Sequence, residues 1–103
     1  MTKSSLDVRL LSIAEEDFAE IIYYIAAENS KAAEQLADKI EKNLALLSDN
    51  PHLGRTPRDA GLKALGYRYL IIENYIAFYT VEKTTVLIHR ILHGARSYKS
   101  LLL

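Results

Sequence analysis

The hydrophobic period of this chain switches from helical to strand spacing after Pro51, and that change limits the folds open to it. Before Pro51 apolar residues recur at helical spacing. Ala14, Phe18, Ile21, Ile22 and Ile25 fall on one face, and Ala33, Leu36, Ala37, Ile40, Leu44 and Leu47 fall on a second. From Lys63 onward the pattern reads as strands, over Leu65 to Ile72, Tyr75 to Val81 and Thr85 to His93. A chain with both periods in separate blocks belongs to the α+β class.

The punctuation completes the order. Val8 and Leu10 alternate with Asp7 and Arg9, which predicts a short first strand. Ser12-Ile13-Ala14-Glu15 predicts a capping box, with Glu15, Glu16 and Asp17 in the first turn where the helix dipole favours anions. The first helix is expected to run to about Ala27. Asn29 or Ser30 then caps a second helix, which stops at Ser48-Asp49-Asn50-Pro51 because proline cannot continue it. Two amphipathic helices joined by so few residues form an antiparallel hairpin. Residues 51–62 hold both prolines and two of the four glycines, so this stretch is read as a loop. Glu73-Asn74 and Glu82-Lys83-Thr84 are tight turns between successive strands, which makes an antiparallel meander. The expectation is one domain over residues 1–103 in the order β-α-α-β-β-β. The helical hairpin packs on one face of a mainly antiparallel sheet, and the first strand joins that sheet.

Composition narrows the chemistry. The sequence is 50% hydrophobic and 25% charged, which is globular composition. It has no cysteine, so disulfides and thiol chemistry are excluded. His52, His89 and His93 show no metal-ligand spacing, and no metal or cofactor is expected. The first residues lack the apolar run of a signal peptide, and no stretch is long enough to span a bilayer. The expected setting is the cytoplasm, with no membrane partner. Net charge is zero but uneven. Residues 1–50 carry five basic and ten acidic side chains, and residues 51–103 carry eight and three. A phosphate-gripping protein needs basic excess, and only the C-terminal half offers it.

Several motifs sit on this frame. They are Ala14-x-x-Asp17-x-x-x-Ile21-x-x-Tyr24, Asn50-Pro51-His52-Leu53-Gly54-Arg55 and Gly66-Tyr67-Arg68. Tyr75 to Val81 reads as a strand ending in F-Y-x-V, and the run from Ile88 to Tyr98 closes the set. Together they resemble the RelE/ParE superfamily of bacterial type II toxins, on the ParE side, from about Val8 to Leu101. The resemblance implies a toxin held by a cognate antitoxin. ParE-like members inhibit DNA gyrase, which implies growth inhibition and plasmid stabilisation. RelE-like members are endoribonucleases that cut mRNA on the ribosome. A third reading is an interaction module without toxicity.

The same resemblance assigns candidate residues. In RelE-like enzymes an arginine early in the third strand, another after the last strand and a later tyrosine assist cleavage. Here Ile76 stands at the first position, Arg96 matches the second, and Tyr98 falls closer to Arg96 than in that pattern. His93, Arg96 and Tyr98 are the catalytic candidates if the chain is RelE-like. His93 could move a proton, Arg96 could clamp phosphate, and Tyr98 could stack a base. Against these stand plain structural roles, such as a strand-ending histidine or a tyrosine packed on the core. Arg55, Arg68, Arg90 and Arg96 are the candidates for gripping a target. Arg90 is expected to share a strand face with Val86, Ile88 and Leu92, which points to a half-buried arginine with a partner.

Overall fold

The computed structural model describes residues 5–95 and 98–102. Strand β1 is Asp7–Leu10, helix α1 is Ser12–Ala26 and helix α2 is Ser30–Ala45, followed by a single 3-10 turn at Leu46–Ser48. A short helix α3, Ala60–Ala64, precedes the meander β2 (Arg68–Ile72), β3 (Tyr75–Val81) and β4 (Thr85–His93). A last turn of helix, α4, is Lys99–Leu102. The sheet order is β1-β4-β3-β2, with β1 parallel to β4 and the other pairs antiparallel. The expected order and the joining of β1 to the sheet are both found.

The α1–α2 hairpin packs on one sheet face. Ile40, Leu44 and Leu47 meet Ala77, Tyr79, Val86, Ile88 and Ile91 there, with Ala14 closing the base of α1. Asn29 caps α2, its side chain accepting from the Ala32 N–H at 3.0 Å. The capping box at Ser12 is not formed. Helix α1 starts one residue earlier than that motif requires, with Leu11 as an extended N-cap that makes no side-chain capping bond. The Leu11 N–H donates to the Ile88 carbonyl, so the last bond of the β1–β4 ladder sets where the helix begins. Ser12 is thereby already helical.

The other sheet face is also covered, which the strand pattern does not suggest. Leu62, Tyr67, Phe78 and Leu92 form a second cluster, joined by Leu101 and Leu102 of α4. The expected strand from Leu65 begins only at Arg68. The Asp59 side chain accepts from the Leu62 N–H and opens α3. Gly66, at φ 83°, closes α3 with the Gly66 N–H on the Lys63 carbonyl and the Tyr67 N–H on the Leu62 carbonyl. This is the glycine-terminated helix stop, with Leu62 and Tyr67 in apolar contact across it.

Beyond Ile88, β4 loses β1 as a neighbour because the chain has turned into α1. The carboxylate of Asp17 fills that edge. It accepts from the Ile91 N–H at 3.0 Å and from Arg90 Nε and a terminal guanidinium nitrogen at 2.7 and 2.9 Å. Asp17 is 7% exposed. Its hydrogen bonds raise the Arg90 pKa above the usual value and keep the guanidinium charged. A β-bulge accompanies this contact. Phe78 pairs with Arg90 and Tyr79 with Ile88, leaving His89 as the extra residue. The bulge reverses the alternation, so Ile88 packs with the helices and Leu92 with the second cluster. The shared face expected for Arg90, Ile88 and Leu92 is therefore not formed.

Ile40 is fully buried at the centre of the helix-side core. Ile40→Ala is expected to lower unfolding free energy by roughly 2–5 kcal/mol, from lost burial and the cavity left behind. Tyr23→Ala, on the exposed face of α1, should stay within about 0.5 kcal/mol of the parent. Denaturant midpoints compare the two, and equal shifts would contradict these helix faces.

Candidate functional site

The segment from Asn50 to Arg55 is stitched to the sheet. The Tyr79 hydroxyl accepts from the Gly54 N–H at 2.8 Å and donates to the Pro51 carbonyl at 2.9 Å. A Cβ at position 54 would stand 2.6 Å from both the Tyr69 carbonyl oxygen and the Tyr79 hydroxyl, so only glycine lets the loop approach this closely. Arg55 exchanges two backbone hydrogen bonds with Tyr69, adding a bridge to the outer edge of β2. Arg68 donates to the carbonyls of His52 and Gly54 at 3.1 and 2.9 Å.

The target-gripping candidates are thus unequal. Arg68 is committed to the loop and Arg90 to Asp17. Arg55 is exposed, and its side chain makes no ion pair or hydrogen bond among the described residues. Arg96 lies outside the described residues.

The two described catalytic candidates, His93 and Tyr98, do not converge. His93 pairs with Tyr75, whose ring packs on the helix-side core. The two rings meet edge to face at 5.5 Å. His93 Nδ1 accepts from the Ala95 N–H at 3.1 Å, so the lone pair of that nitrogen is already engaged within the chain. Tyr98 lies against the Phe78 ring at 4.8 Å, in the cluster on the opposite sheet face. Ile76 also packs with that cluster, paired with Ile71 and Leu92, so the third-strand position is apolar in its surroundings as well as in itself. Among the described residues, no three His, Asp or Glu side chains could jointly hold a metal ion.

One further polar group, His89, carries no motif of its own. The bulge presents His89 to the second face, where Nε2 lies 2.8 Å from Thr80 Oγ1 and Nδ1 lies 3.3 Å from the Tyr67 hydroxyl. This cluster joins the end of α3 to β3 and β4. The only sequence signal was a histidine inside a strand, which periodicity treats as one more position. Burial pushes the His89 pKa below 6.5, against a smaller upward pull from Glu82. Burial likewise pushes the Tyr67 hydroxyl up. A depressed histidine pKa favours the neutral ring in the fold, so its stabilising contribution is full above 6.5 and is lost as pH falls through the folded value. His89→Gln, which cannot titrate, should flatten the fall in stability just below pH 6.5. Asp59, held low by the Leu62 N–H and by Lys99, acts only at pH values below the carboxylate range. Thermal melts from pH 5 to 8 read the difference, and identical slopes in parent and variant would exclude this role.

The match to known proteins covers this whole frame. Residues 8–98 match the family model described as the ParE toxin of the type II toxin-antitoxin system, parDE. Among curated proteins none matches the sequence. Among solved structures, the chromosomal ParDE system of P. aeruginosa superposes with a TM-score of 0.72 at 19% identity, over 86% of this chain and 96% of that one. The RelBE2 toxin-antitoxin complex of Mycobacterium tuberculosis gives 0.61 at 20% identity, over 92% and 98%. The YoeB-YefM complex of Staphylococcus aureus gives 0.58 at 21% identity, over 87% and 98%. At these identities the structures establish a shared fold, and the family match extends from β1 to Tyr98. The chain belongs to the ParE toxin family of type II toxin-antitoxin systems.

Proposed function

We propose that this toxin acts by binding DNA gyrase in the cytoplasm, and that a cognate antitoxin neutralises it. The observation that carries the reading is the separation of His93 and Tyr98 onto opposite sheet faces, with Ile76 apolar at the third-strand position. Metal-free RNA cleavage needs a proton acceptor, a charge stabiliser and a proton donor around one phosphate. A gyrase inhibitor needs none of these, because its free energy comes from contacts at a few anchor residues. Arg55 is the anchor this reading favours among the described arginines, and Arg96 is the second. The antitoxin is expected to bind as an extended segment that orders on contact and covers more than about 1,000 Å². The similarity in fold to chains solved as toxin-antitoxin complexes supports that partner.

Purified protein should inhibit gyrase supercoiling while leaving ribosome-bound message intact. Arg55→Ala should raise the half-inhibitory concentration roughly 30-fold, the effect of losing an anchor worth about 2 kcal/mol. Adding antitoxin should restore supercoiling. Codon-boundary cuts in mRNA that vanish in Arg96→Ala, with supercoiling untouched, would replace this reading with the RelE-like one.

A further inference from the structure

Helix α1 and the turn after it carry charge of one sign. From Ser12 to Ser30 there are five acidic residues and no lysine or arginine. Asp17 is consumed internally by Arg90. Glu28 makes no ion pair among the described residues. Beside it, two tyrosines stand out from the helix without packing, Tyr23 at 81% and Tyr24 at 69% exposed.

Tyr24 and Glu28 belong to a cleft. It holds about 360 Å³ and is lined by Tyr24, Ile25, Glu28, Asn29, Tyr75 and His93. Four separate segments build it: the end of α1, the turn into α2, the first residue of β3 and the last of β4. The volume lies at the low end of the range for ligand pockets, roughly 300–1,000 Å³. That suits one side chain rather than a cofactor. The lining offers aromatic rings, one carboxylate and no lysine or arginine. His93 Nδ1 is already engaged by the Ala95 N–H. Such a lining repels phosphates and carboxylates. It attracts a cation that can also lie on a ring, and guanidinium does both better than ammonium because it is planar and weakly hydrated.

We propose that this cleft binds an arginine side chain presented by a partner protein. The inference rests on the reading of the toxin as a binding protein and names the chemistry a partner brings to this end of the molecule. The exposed acids of α1, although Glu16 and Glu20 also feel the nearby Arg90, then draw the same basic segment along the helix by long-range attraction.

The test is titration of the toxin with N-acetyl-arginine amide, followed by NMR of the Tyr24, Tyr75 and His93 ring signals. Saturable shifts confined to these rings are expected. N-acetyl-citrulline amide, the neutral isostere, should produce none. Glu28→Gln should weaken binding about fivefold, the upper end for an exposed ion pair, and Glu34→Gln on α2 should leave it unchanged. Both glutamates are exposed, so the melting temperature should stay constant and confirm that the fold survives. Equal binding of citrulline, equal effects of Glu28→Gln and Glu34→Gln, or shifts that never saturate would each overturn the proposal. Because the probe is small, a failure here leaves gyrase inhibition standing, and a loss of gyrase inhibition leaves this result standing.

Discussion

One carboxylate lets the strand edge and the helix meet. Strand β1 is only four residues long and leaves β4 after Ile88, so the Ile91 N–H would face the start of α1 unpaired. An unpaired buried N–H costs about as much as a lost hydrogen bond. Asp17 supplies the acceptor, and burying it then requires a cation, which Arg90 provides in a two-pronged contact. The bulge at His89 goes with this arrangement, since Arg90 lies next to the extra residue. The first turns of α1, the strand edge and the break in alternation thus meet at one interaction.

The same economy decides which polar residues are left for partners. Gly54, Tyr79 and Arg68 hold the loop after α2 against the β2 edge, so much of the Asn50–Arg55 motif serves the frame. The loop in turn shields part of the outer edge of β2 through the Arg55–Tyr69 bridge, which limits uncontrolled strand pairing there. What stays outward is Arg55 on one side and the tyrosine-bearing, acid-rich face of α1 on the other. The two surfaces carry opposite charge, matching the split between the two halves of the sequence.

Much of this was legible beforehand because it rests on local periodicity. The faces of α1 and α2, the Asn29 cap, both strand turns and the halt near Pro51 follow from spacing and from residues with fixed backbone preferences. The capping box misled because Ser12 and Glu15 satisfy the motif locally, while the ladder bond from Leu11 to Ile88 moves the helix start. Helix α3 was missed because five residues are too few for periodicity, although Asp59 and Gly66 bracket it. The bulge leaves no mark in an alternating pattern, which groups Leu92 with Val86 and Ile88 although it packs on the other face. A half-buried strand arginine such as Arg90 implies a partner, but the partner lies 73 residues away and spacing cannot name it. The cleft at Tyr24 was illegible for the same reason, being built from four segments.

The central claim is that Asp17 and Arg90 form one architectural unit, and a double-mutant cycle on stability tests it most directly. Asp17→Ala and Arg90→Ala should each cost about 3–5 kcal/mol, since each strands a buried charge. The double variant should cost less than their sum by on the order of 2 kcal/mol or more. Additivity within about 0.5 kcal/mol would mean the two side chains act independently, and the account of how α1 meets the sheet would be wrong.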